Sequence, residues 1–80
     1  MNFYPQTTVE ALKEAFKENK TKDYCNGVDR AAYVYNAAFQ MYSLADATKE
    51  IVRRISEAHA NLNSNLEYTR GFVDFLLYLK

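Results

Sequence analysis

Residues 28–62, VDRAAYVYNAAFQMYSLADATKEIVRRISEAHANL, decide the fold. The stretch holds neither glycine nor proline and consists mostly of good helix formers. It therefore predicts one long central helix, roughly 50 Å at 1.5 Å per residue. Turned at 100° per residue, its apolar positions form two stripes rather than one. Val28, Ala31, Ala32, Tyr35, Ala38, Phe39 and Tyr42 share a face in the first half. Met41, Leu44, Thr48, Ile51, Ile55, Ala58 and Leu62 follow a 3–4 spacing on nearly the opposite face in the second, where Lys49, Arg53 and Glu57 take the side that was apolar before. A helix that changes partners midway needs a short helix on each side. A second reading stays open: Ser43 and Asp46 form an S-x-x-D cap, which would break the helix between Tyr42 and Asp46 and give a four-helix bundle.

Inside this stretch, residues 31–45 (AAYVYNAAFQMYSLA) carry no charge over four turns. Exposed helix faces are normally punctuated by Lys, Glu, Arg or Asp, so the run predicts contact most of the way round. One short helix does not supply that, which points to a homo-oligomer of closed symmetry. Tyr35, Ala38, Phe39 and Tyr42 are its candidate interface residues.

Outward from the centre, Phe3, Tyr4 and Pro5 make residues 1–7 an extended arm, since the residue before proline is pushed out of the helical region. Thr7 to Glu10 reads as a T-x-x-E capping box, opening a first helix over about 8–19 with Val9, Leu12 and Phe16 on one stripe. Residues 20–27 are polar and contain the Asn26-Gly27 pair, which predicts a loop holding Tyr24 and Cys25, with Asn26 as a possible cap. Ser64 and Glu67 form another capping box before a last helix over about 65–79. Its apolar set (Leu66, Phe72, Val73, Phe75, Leu76, Leu77 and Leu79) is wider than a surface helix buries, so Phe72 and Phe75 join the interface candidates. The expectation is an all-α, single-domain, three-helix protomer over residues 1–80.

Composition narrows the function classes. Ten basic and ten acidic residues cancel and are interspersed along the chain, which argues against binding duplex nucleic acid or an anionic membrane. No apolar run is long enough to cross a bilayer, and one cysteine with no leader-like opening makes a reducing cytoplasm the default. One His and one Cys leave no basis for a metal site, no cofactor motif is present, and neither His59 nor Cys25 has a catalytic partner in any recognisable motif. The chain reads as a binding protein rather than an enzyme.

The seven tyrosines are the informative set. Tyr4, Tyr24 and Tyr33 fall on an arm, a loop and an off-stripe helical position, with no core to enter, and tyrosine offers a rigid ring with a polar tip at binding sites. Gly71, inside the last helix, costs about 1 kcal/mol relative to Ala, so a neighbouring helix or a ligand gripped by Arg70 uses the missing side chain.

Ser64, Leu66, Thr69 and Arg70 within SNLEYTR resemble the S-x-L-x-x-T-K/R pattern in the last helix of phage anti-CBASS sponge proteins. The likeness covers seven residues; the chain continues as GFVDFLLYLK where that family carries an acidic, tryptophan-bearing stretch. It implies a small helical protomer that oligomerises and sequesters cyclic oligonucleotides in the host cytoplasm, with Thr69 and Arg70 facing the ligand. Two functions follow. Either an oligomer binds a small phosphorylated ligand through tyrosine and arginine, or an aromatic helical surface docks on a host protein, as in anti-CRISPR inhibitors.

Overall fold

The structure is a computed structural model, and it describes residues 4–60 and 66–79. These are all-helical, with four helices and no strand among them: α1 Gln6–Lys17, α2 Lys22–Met41, α3 Leu44–Ala60 and α4 Leu66–Leu79. The Ser64–Glu67 capping box lies partly outside the described residues.

The long central helix does not form. It breaks at Tyr42, whose backbone is extended at φ −126° and ψ 160°, and restarts at Leu44. Ser43 makes the break affordable, because its Oγ accepts from the Asp46 N–H at 3.4 Å and satisfies one of the free donors of the new helix end. The four-helix reading is therefore the correct one. Folding α3 back lets one chain do what a straight helix would have needed a second chain to do.

α2 lies at the centre, packed by α1, α3 and α4. Ala31, Ala32, Val34, Tyr35 and Ala38 from the uncharged run are buried within the chain, with Val28 beside them. Intramolecular neighbours thus cover most of residues 31–38, whereas residues 40–45 of the uncharged run are exposed. Tyr35, Ala38, Phe72 and Phe75, expected at a subunit interface, belong to this core, while Phe39 is half-buried with its ring 4.7 Å from that of Tyr35. Tyr42 alone of that set is substantially exposed.

The closest packing is between α2 and α4, and both glycines of the chain sit on it. A Cβ on Gly71 would lie 2.1 Å from the Tyr24 carbonyl oxygen, and one on Gly27 would lie 2.0 Å from the Tyr68 carbonyl oxygen. No side chain fits either place. The hydrogen each glycine carries instead points at a carbonyl, the geometry of a weak Cα–H···O contact. This crossing explains why residues 22–27 are helical rather than a loop: Tyr24 and Gly27 are needed on a helix face, and Thr21, not Asn26, caps it by accepting from the Tyr24 N–H at 3.2 Å.

α1 starts two residues earlier than its sequence suggests, because Pro5 already has the extended backbone of a cap and its carbonyl accepts from the Val9 N–H at 3.0 Å. Thr7 and Thr8 lie inside the helix and cap nothing. The helix ends at Lys17, with Asn19 in the left-handed region at φ 60°, where asparagine is tolerated. Phe16 anchors it, its ring 4.9 Å from Phe75 and 5.1 Å from Tyr78.

Candidate functional site

The candidate site is a groove bounded by α2, α3 and α4. It has two lobes of about 260 and 200 Å³ that share Arg30 of α2 and Arg54 of α3. Tyr68, Thr69 and Phe72 of α4 line the first lobe, and Tyr33, Met41 and Tyr42 line the second. Joined, they reach the lower end of the roughly 300–1,000 Å³ typical of small-molecule sites.

The break at Tyr42–Ser43 creates this groove, since only an α3 folded back on α2 brings residue 54 beside residue 30. The electrostatics rest on Arg53. Its guanidinium takes both oxygens of Glu50, at 2.6 and 2.9 Å, and also pairs with Glu57. That grip holds the Glu50 carboxyl below its usual range. Glu57 lines the first lobe and Glu50 the second, and both carboxylates are paired with Arg53. Arg54 is left short: Glu50 Oε2 lies 3.9 Å from its Nε, beyond hydrogen-bond reach, and that buried Nε has no hydrogen-bond partner among the described residues. Arg30 makes no ion pair among the described residues and lies over the Tyr33 ring, 5.1 Å from its centroid.

The residues expected to bind a ligand are not brought together. Tyr33 is 56% exposed and lines the second lobe, as expected of a ring with no core to enter. Thr69 is buried and lines both the first lobe and a separate cavity of about 240 Å³ holding Arg70, His59 and Asp74. Arg70 thus faces the other side of α4 and lies 4.0 Å from Glu67. Tyr24 is structural, because it is no loop residue: it is 8% exposed, and its hydroxyl donates to Asp74 at 2.8 Å, tying α2 to α4. Burial, then that carboxylate, push its phenol up to about 12. Tyr4 belongs to the core rim, where its N–H donates to the Tyr35 hydroxyl at 2.9 Å and its ring stacks on Tyr78 at 6.5 Å.

In the sequence Arg30 reads as an ordinary surface charge and Arg54 as one partner of a surface ion pair with Glu50, so neither stands out as a site residue. A signal existed. Arg30 is the last charge before the uncharged run, and Arg54 sits one residue from Ile55, at the edge of the α3 apolar stripe. Cys25 is not in the groove; its thiol donates to the Lys17 carbonyl at 3.4 Å. Among the described residues no cluster of His, Cys, Asp and Glu could hold a metal ion, and no helix is long and apolar enough to cross a membrane.

No family model, no curated protein and no solved structure matches this chain.

Proposed function

We propose that this protein is a non-catalytic binding protein that holds a small anionic, ring-bearing ligand, such as a nucleotide or cyclic oligonucleotide, in the α2–α3–α4 groove. Arg54 carries the reading. The buried guanidinium Nε has no acceptor among the described residues, which costs free energy in the empty protein, and a turn of this side chain toward an anion in the groove would relieve it. Arg30 lines both lobes as Arg54 does, with Tyr68 lining the first lobe and Tyr33, under Arg30, the second. Neither Cys25 nor His59 lines either lobe. Holding without turnover is the sequestering role that the SNLEYTR resemblance implies, with Thr69 retained as a wall residue and Arg54 in place of Arg70.

Thermal unfolding with cyclic di- and trinucleotides, linear nucleotides and inorganic polyphosphate tests this. A ligand at 100 times its Kd adds about 2.7 kcal/mol, which raises Tm by roughly 10–20 °C in a domain of this size. Arg54→Gln and Arg30→Gln should each remove the shift, and Arg70→Gln should leave it. If none of these compounds moves Tm, the reading is wrong.

A second reading has its own support. Tyr33, Met41, Tyr42 and Leu44 are 56%, 72%, 45% and 55% exposed, the kind of aromatic and apolar side chains that anchor protein interfaces. On that reading the protein is an inhibitor or adaptor, and its partner co-purifies with it until Tyr33 and Tyr42 are replaced by Ala.

A further inference from the structure

Met41, Leu44, Thr48, Ile51, Ile55 and Ala58 follow one another in alternating steps of three and four residues. This is the heptad spacing of a helix seam, and it runs straight through the joint between α2 and α3. The folded chain uses only its far end. Ile51 and Ile55 are buried and Ala58 is half-buried, whereas Met41 is 72% and Leu44 55% exposed. Nothing about the joint forbids a helix. It consists of Tyr42 and Ser43, and the extended Tyr42 backbone can return to the helical region without strain.

We infer that α2 and α3 join into one continuous helix when two copies of this chain meet, the copies exchanging their α3–α4 halves. The halves must move as units. Straightening carries Ala60 about 28 Å beyond Met41, while Gly71 of α4 packs on Tyr24 near the far end of α2, and a chain of the length between Ala60 and Leu66 reaches at most about 20 Å. α4 therefore travels with α3 and settles on the partner's α2. Each α1–α2 half receives the partner's α3 and α4 where its own had been, so every buried contact is kept. Two gains are new: the joint acquires helical hydrogen bonds, and the Met41–Leu44 segments of the two copies bury each other where the continuous helices meet. Against these stand the entropy of association and the loss of both Ser43 caps.

The exchange makes the groove a two-chain site. Arg30 and Tyr33 of one copy would face the partner's Arg54, Tyr68 and Thr69. The self-association itself does not depend on what the groove binds, so nucleotide titrations can fail without touching it.

Light scattering from micromolar to millimolar concentration should show a monomer giving way to a dimer. Leu44→Pro sits in the first turn of α3, where proline is tolerated, but it forbids a helix through the joint, and it should hold the protein monomeric with its Tm little changed. Ser43→Ala removes the cap that favours the break and should tighten the dimer roughly thirtyfold, one cap being lost per chain. Exchange is read from spin labels at Arg30→Cys and Glu57→Cys in a Cys25→Ser background, diluted into excess unlabelled protein. The two positions line one lobe in the folded chain, but lie about 40 Å apart along a continuous helix. A long intrachain distance in the dimer, lost with Leu44→Pro, supports the exchange. A monomer at every concentration overturns it, and so does a dimer that keeps the short distance.

Discussion

Replacing Gly71 with Ala tests the α2–α4 crossing on which the fold depends. The added Cβ would sit 2.1 Å from the Tyr24 carbonyl oxygen and 3.2 Å from the Val28 nitrogen, against about 3.4 Å for ordinary contact. Both are backbone atoms of a helix, so no side chain can swing aside. The helices must part by about 1.3 Å at the crossing, and a gap of 0.5–1 Å already forfeits a quarter to a half of the dispersion attraction across it. The buried residues that lose contact include Val28, Ala31 and Tyr35 on α2 and Phe72, Phe75 and Leu76 on α4. Set against this is a gain of about 1 kcal/mol in helix propensity. The expected net loss is about 2–4 kcal/mol, which approaches half of the ~4–12 kcal/mol that a domain of this size has in total. Thermal unfolding followed by far-UV circular dichroism should show Tm falling by roughly 10–25 °C. Gly27→Ala should behave alike, and the double variant should cost less than the sum, because helices already parted by one methyl have room for the other. A Tm that stays level or rises, as at a glycine on an open helix face, would refute the close crossing.

Three further outcomes follow from the same packing. Burial and Asp74 push the Tyr24 phenol up to about 12, and burial pushes Tyr35 upward too, so the neutral phenols stabilise the fold fully below the unfolded value near 10. Urea midpoints should fall as pH rises from about 10 to about 12, less steeply in Tyr24→Phe; a level midpoint through that window counts against the burial of these rings. Phe16→Ala should cost about 2 kcal/mol, less than a fully buried Phe because the ring is half-buried, and chemical denaturation will show whether α1 is held by it. Asp29→Ala breaks the 3.0 Å pair with Lys17 between α1 and α2, and at these exposures the loss should stay under about 1 kcal/mol.

The helical class, the last helix and the need for a close neighbour at Gly71 were legible in the sequence, because each is a local matter of propensity, periodicity or a missing side chain. The break was legible only as an alternative. Ser43-x-x-Asp46 is a cap signal, but residues 28–62 have no breaker to enforce it, and the choice depends on whether α3 finds more apolar surface by folding back. The uncharged run was only half legible in the same way: residues 31–38 are mostly covered within the chain and residues 40–45 are exposed, and lack of charge does not say by which chain a helix is covered. Tyr24 was misplaced because residues 20–27 are polar enough for a loop, and only the α4 backbone reveals why a helix with Gly27 is needed there. The groove was the least legible feature, being assembled from single residues of three helices, with Arg30 and Arg54 twenty-four positions apart.

Arg54 bears most on whether that groove exists for a ligand. Its ion pair with Glu50 is long, 3.9 Å from Nε, because Glu50 is turned to Arg53, and the Nε has no hydrogen-bond acceptor among the described residues. A buried donor left without a partner costs about 1–3 kcal/mol, and the part of the guanidinium that remains in contact with water recovers some of that. Arg54→Met keeps the length and apolar stem while removing the orphaned donor, so the empty protein should become more stable, by up to about 1 kcal/mol after that discount. Its urea midpoint should rise while any nucleotide-induced shift disappears. Those two changes in opposite directions separate a residue kept for binding from one kept for folding. If Arg54→Met instead lowers the midpoint, the arginine is part of the scaffold, and the case for an anion in the groove loses its main support.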